Sequence, residues 1–350
     1  MLSPSIGYAR VLGTITCITI AGCHSPSHNT ELHQRNFPLM TTEVSITVAA
    51  PASARLTQAL DATEAEMRRL STSLSEWVAD SEVGQLNARS GGDWQQASPD
   101  LWTVVTAAHE VSLATAGSFD ITWAALHGLW DFHATEPRVP DPATIKARLP
   151  LIGFYNLQQD PEQQRLRLAK PGMKIGLGGI AKGYAVDRAS AVLRARGFTN
   201  HLVVAGGDLY AAGSRAGEPW RVGVRAPNGR HLLATLDVHD EGVATSGSYE
   251  RFFVIQGVRY HHILDPRTGY PAPGTSAVTV VAKSAMLADA YATGLFILGA
   301  ERGLAVAGRH GLEALFLPDP NPSPTMTPGL HNRLTWLAPM GAQTPAGVTP

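Results

Sequence analysis

The sequence predicts an α+β fold, with mixed, mainly antiparallel sheets packed with helices. Candidate strands outnumber candidate helices between residues 38 and 317, and several strands follow one another as hairpins. The chain also lacks the series of strand–helix–strand units that a parallel sheet requires. Its 350 residues, 44% of them hydrophobic, suffice for a large core in one or two domains. A formal net charge of -1 lacks the basic excess of a general nucleic-acid binder, so no nucleic-acid partner is expected.

In chain order, Arg10 precedes an apolar run, residues 11–22, too short to span a bilayer as a mature helix. The run ends Ile20-Ala21-Gly22-Cys23, which resembles a bacterial lipoprotein signal. Residues 1–22 are then a signal peptide, Cys23 the lipidated N-terminus, and residues 23–37 a flexible polar tether. The alternative is an ordinary secretory signal with an incidental cysteine. Cys17, the other of the two cysteines, lies in the removed part, so no disulfide is expected.

Residues 39–48 alternate apolar and polar side chains, the pattern of a half-buried strand. An amphipathic helix covers 54–70, a polar loop containing Trp77 follows over 74–87, and Pro99 opens a second helix. Asp141 and Pro142 read as the N-cap and first position of a short helix. A hairpin is expected over 152–157 and 165–168. Residues 173–175 then predict a strand, Gly176, Gly178 and Gly179 a turn, and 180–196 a helix. Unpaired N–H groups at such a helix N-terminus suit an anion, and Lys182 adds positive charge there. Strands follow from 201 to 264 and at 277–282. Helices cover 285–298 and 302–310, and a last strand 312–317. Residues 318–350 read as a proline-rich tail.

Three groups of residues can carry chemistry. Gly176-Leu-Gly178-Gly-Ile-Ala181 formally matches a dinucleotide fingerprint, but Arg194-Ala-Arg196 stands where that fingerprint wants an acid. A Walker loop is excluded because glycine follows Lys182. In the second group, Ser246 lacks the surrounding glycines of a hydrolase elbow. Only one of His261 and His262 can face a given site, since strand neighbours point to opposite sides. In the third, Asp289 and Thr293 are four apart and share one helix face, presenting two hard oxygen donors of the kind Mg²⁺ takes; the alternative is that Asp289 is an ordinary surface residue.

The order of these pieces resembles the ApbE family, the FAD:protein FMN transferases. The matching pieces include Met40-Thr-Thr42, Trp77 through Asn87, Gly117 through Thr122, Ile180 through Asp187, Gly206-Gly-Asp208, Thr245-Ser-Gly247, His262 through Gly269 and Asp289 through Thr293. The resemblance implies an ApbE-like, T-fold-like architecture over residues 38–317. It implies an enzyme that splits FAD, passes FMN to a Thr or Ser hydroxyl of a target protein and releases AMP. By that resemblance Gly179, Asp289 and Thr293 hold Mg²⁺. Met40, Trp77, Ser118, Phe119, Asp120, Lys182 and Ile263 meet FAD, Lys182 also serves catalysis, and His262 is the general base. A histidine of near-neutral pKa suits that task. For Trp77 the alternative is a loop anchor; for Asp120 it is a turn cap. Many relatives carry Asp where this chain has Gly176, which leaves one expected FAD contact open. The acceptor expected is a membrane redox protein facing the periplasm, with the enzyme lipid-anchored on that side. Two rival readings are an FAD pyrophosphatase that uses water as acceptor and a flavin-binding lipoprotein without turnover.

Overall fold

The computed structural model describes residues 31–227, 231–320 and 323–337. The proposed signal peptide, Cys23 and the last residues of the tail lie outside the described residues. The chain opens on a hairpin, β1 (Leu32–Leu39) and β2 (Thr42–Ala49), paired along its whole length. β1 corrects the expected tether over residues 32–37. Its polar run His33-Gln-Arg-Asn36 hides the strand because β1 is a sheet edge, where polar residues are the rule.

Helix α1 (Ala54–Ser73) starts where Ser53 Oγ accepts from Leu56 N. Helix α2 (Glu82–Ala88) occupies part of the expected polar loop, because Ser81 Oγ accepts from Gly84 N and caps it. After β3 (Gln95–Gln96) comes α3 (Pro99–Ala114), then a 3₁₀ turn over Ile121–Leu126. Helix α4 (Pro142–Arg148) is capped by Asp141 as predicted. The hairpin β4 (Leu157–Asp160) and β5 (Arg165–Leu168) starts later than residues 152–157 suggest. Residues 173–175 form no strand. The Asn87 side chain bonds both Ile175 N, at 2.7 Å, and Ile175 O, at 2.9 Å, doing what a neighbouring strand would do.

Helix α5 (Ala181–Ala195) leads into β6 (His201–Ala205), β7 (Asp208–Ala212), β8 (Trp220–Arg225), β9 (Leu232–Val238) and β10 (Glu241–Gly247). A separate hairpin follows, β11 (Phe252–Ile255) and β12 (Val258–His261), then β13 (Thr275–Ala282). Helices α6 (Ala285–Leu298) and α7 (Ala300–Arg309) precede β14 (Glu313–Pro318). Two short strands, β15 (Thr325–Met326) and β16 (Leu334–Trp336), lie within the proline-rich tail: Leu330 is buried, and β16 pairs with β9.

One eight-stranded sheet, ordered β1-β2-β6-β7-β10-β13-β14-β15, organises the molecule, and every neighbouring pair in it is antiparallel. Its strands alternate between two cores. Val203 and Ala205 face the helical layer with Met67, Leu70 and Phe296. Leu202 and Val204 face the small β16-β9-β8 sheet with Trp220 and Leu236. A third, aromatic cluster gathers Trp130, Phe253 and Leu264, with Tyr260 and Tyr270 against it. The β11–β12 hairpin stands on this cluster and pairs with no other described strand.

Candidate functional site

The site is built where α5 and α6 meet. Gly183 on α5 lets the two backbones touch, because a Cβ there would collide with Ala285 O. Asp187, one turn on, accepts from Ala285 N at 2.8 Å and Met286 N at 2.9 Å, so its carboxylate caps α6 from outside. Burial, partly offset by those N–H groups, pushes the Asp187 carboxyl up to about 6. Tyr184 donates to Asp100 at 2.6 Å and Arg188 to Glu66 at 3.1 Å, which ties α5 to α3 and α1.

This docking sets Lys182 beside Asp289. The ammonium lies 2.7 Å from Asp208 Oδ2 and 3.3 Å from Asp289 Oδ2, and donates to Gly178 O at 3.4 Å. Gly183 N also donates to Asp289 Oδ2, at 3.2 Å. Burial alone would lower the Lys182 pKa, but the two carboxylates outweigh it and raise it above the ordinary lysine range. The Asp289 carboxyl is pushed up by burial and by Asp208, against the pull of Lys182. Thr293 stands one turn further along α6, its hydroxyl 3.3 Å from Ser246 Oγ. A Cβ on Gly179 would come within 3.1 Å of that Thr293 hydroxyl and 3.4 Å of the Phe119 ring. Gly179, Lys182, Asp289, Thr293 and Phe119 are therefore brought together, as the sequence suggests. Among the described residues no three His, Cys, Asp or Glu side chains converge on a point suited to a metal.

His262 follows β12, and its N–H donates to Arg251 O at 3.0 Å. Its Nδ1 is buried with no hydrogen-bond partner. Burial first, then the charges of Arg251, His261 and Lys182, push its pKa down to about 3. The expected near-neutral value is thus corrected: the ring is neutral, but held among cations in a dry setting. His261 points elsewhere and bonds Ala272 O at 3.0 Å through Nε2. Arg251 also donates to Thr41 Oγ1 at 3.2 Å, which brings the β1–β2 turn to the same side. In that turn Met40 and Thr41 hold left-handed φ values of 50° and 58°, uncommon for side chains of their kind. Ile263 is buried in the main core, with its N–H on His261 Nδ1 and its carbonyl taking Ala272 N.

Trp77 is 76% exposed and stacks on His127, ring centroids 4.6 Å apart and 17° from parallel. Its other face is left to solvent. Ser118 Oγ is buried without a hydrogen-bond partner. Asp120 is occupied within the protein: Oδ1 accepts from Thr122 N and Oγ1, and Oδ2 from Phe154 N, the arrangement of a turn cap. Sequence reasoning missed Asp208, Glu76, His127, Ser246 and Arg251 as site residues. Asp208 and Ser246 had a signal, since they lie within the matched pieces Gly206-Gly-Asp208 and Thr245-Ser-Gly247; the others act through contacts that no local pattern reveals.

The profile of the ApbE family matches residues 40–316. A FAD:protein FMN transferase of Vibrio cholerae is 32% identical over 307 residues, covering 86% of this chain and 90% of that protein. One from Salmonella typhimurium is 34% identical over 253 residues, 70% of this chain and 72% of that protein. Among solved structures, the ApbE protein of Thermotoga maritima superposes with a TM-score of 0.78 at 32% identity, over 85% of this chain and 98% of the other. The flavin transferase ApbE of Vibrio cholerae gives 0.77 at 29% identity, over 85% and 97%.

Proposed function

The chain belongs to the ApbE family, and on that footing we propose that it transfers FMN from FAD to a hydroxyl group of an acceptor protein and releases AMP. One observation carries the reading: an ammonium held between two carboxylates, close enough that its charge acts on a buried, neutral imidazole. Storage of flavin needs neither group; phosphoryl transfer needs both.

The acceptor Thr or Ser donates its proton to the His262 imidazole as its oxygen attacks the phosphorus of the FMN half. A new O–P bond forms. The bond from that phosphorus to the bridging oxygen breaks, and AMP leaves with the electron pair. Lys182 faces the phosphate oxygens with positive charge. Trp77 offers a flat face to one ring of FAD, and Met40, Ser118, Phe119 and Ile263 would supply further contacts to it.

The residues present fit Mg²⁺. Gly179 O, the Asp289 carboxylate and the Thr293 hydroxyl are hard oxygen donors, and a side chain at 179 would crowd the hydroxyl. These three would hold the ion, which when bound neutralises charge on the phosphate oxygens. The leader-like segment ending at Cys23 supports an exported enzyme, lipid-anchored on the periplasmic side, where membrane redox proteins would be its acceptors.

The test is incubation of the purified protein with FAD, Mg²⁺ and a candidate acceptor. Flavin fluorescence fixed to the denatured acceptor, with one AMP released per label, is expected. Free FMN and AMP with an unlabelled acceptor would instead mean hydrolysis, and unchanged FAD would mean binding alone.

A further inference from the structure

Glu76 presents a carboxylate that the protein itself barely uses. Its side chain is 7% exposed. Oε2 accepts from Leu177 N at 2.8 Å. Oε1 lies 3.7 Å from His127 Nε2, beyond hydrogen-bond length, and that buried nitrogen has no other partner. Burial raises the Glu76 pKa against the pull of Leu177 N, and burial together with Lys174 lowers that of His127 to about 4. The two are therefore not a strong ion pair.

Glu76, Ala124 and Trp123 close directly on Gly176: a Cβ there would come within 2.9 Å of Glu76 Oε1, 3.0 Å of Ala124 and 3.3 Å of Trp123 Nε1. The His127 ring stacks on Trp77 and meets Trp123 edge-on at 4.8 Å. Trp77 keeps its other face open to solvent. Burying a carboxyl beside three aromatic rings costs free energy unless a donor compensates it. The Leu177 N–H and the residue's own backbone N–H offset that cost in part, and no side chain among the described residues donates to the carboxylate within hydrogen-bond length.

We propose that Glu76 is a specificity residue: its Oε1 accepts a hydrogen bond from an N–H group on the edge of the planar ring that stacks on Trp77, while His127 holds the tryptophan in place. Resting on the FAD reading, the ring is either the flavin, through its imide N–H, or the adenine, through its amino group.

Glu76→Gln tests this, because its amide oxygen keeps the Leu177 bond. Binding of FAD, 3-methylflavin-FAD and N6-dimethyladenine-FAD is measured by flavin fluorescence without an acceptor, alongside melting temperature. The variant is expected to fold normally and to bind FAD ~10- to 100-fold more weakly, the loss typical of a buried charged hydrogen bond. Wild type is expected to reject one methylated analogue to a similar degree, and the variant to lose that discrimination. Rejection of the 3-methyl analogue identifies the flavin; rejection of the dimethyladenine analogue identifies the adenine. FAD affinity unchanged in the variant, with both analogues bound like FAD, overturns the proposal alone. A wild type that binds no FAD overturns the transferase reading and this proposal with it.

Discussion

In the proposed reaction His262 is the base, and its environment has a measurable signature. Replacing it with alanine is expected to abolish labelling of the acceptor while FAD still binds; full activity in His262→Ala would remove the base from the scheme. With its pKa down near 3 in the free protein, the ring stays neutral at any pH above that. The acid limb of kcat/KM, which reports the free enzyme, should therefore lie far below the 6.5 of an ordinary imidazole. The limb of kcat should lie higher, since bound diphosphate offsets Arg251 and Lys182. A kcat/KM limb at pH 6.5 would contradict this environment. Asp289→Ala should raise the Mg²⁺ concentration needed for half-maximal transfer at least ~10-fold, and an unchanged metal titration would remove its ligand role. Asp289 and Thr293 were legible because helical spacing puts i and i+4 on one face. Glu76 was not, because its meaning depends on Gly176 a hundred residues away. The fold sets the Glu76 carboxylate 2.9 Å from where a side chain at 176 would begin.

Helices α5 and α6 act as one part. Gly183 permits the close approach, and Asp187 locks it by capping α6. Gly183→Ala should force the helices apart, destabilise the protein by about 1–3 kcal/mol and reduce transfer, because Lys182 and Asp289 no longer meet. Gly178→Ala, with nothing within 4 Å of its added methyl, is the control for stability. Equal melting temperatures for the two variants would mean that the helices accommodate the methyl freely. Helices were the more readable elements, since Pro99 and Asp141 mark two of their starts and apolar spacing marks α1. Strands misled where a side chain replaced a neighbour, as Asn87 does for residues 173–175, or where an edge strand was polar, as in β1.

Over the whole molecule, buried titrating groups pull stability in opposite directions. His201 bonds Ser190 and Phe198 O, both at 2.8 Å, and burial lowers its pKa to about 4. Unfolded, it takes up a proton near pH 6.5, so its contribution is intact above that pH and is lost as pH falls towards 4. The full effect is on the order of 3 kcal/mol. Asp187, raised by burial, works the other way: its contribution is lost as pH rises through about 6. The test is thus a difference. The stability of wild type minus that of His201→Gln should grow between pH 4 and 6.5, and a flat difference would refute the assignment. The α+β class and the long antiparallel run were readable from consecutive hairpins. The layering of a second small sheet was not, because β16 comes from the proline-rich end and joins β9 only in three dimensions.

The β11–β12 hairpin rests on its own aromatic cluster, apart from the two cores of the large sheet. His262 leaves the end of that hairpin, so the proposed base is mounted beside an element that pairs with no other described strand. Local opening there costs less than global unfolding. Amide hydrogens of β11 and β12 should therefore exchange with deuterium well before those of β13, and mild urea should silence the enzyme while its far-ultraviolet dichroism is still that of the intact sheet. Simultaneous loss of the two signals would mean that the hairpin and the sheet melt as one.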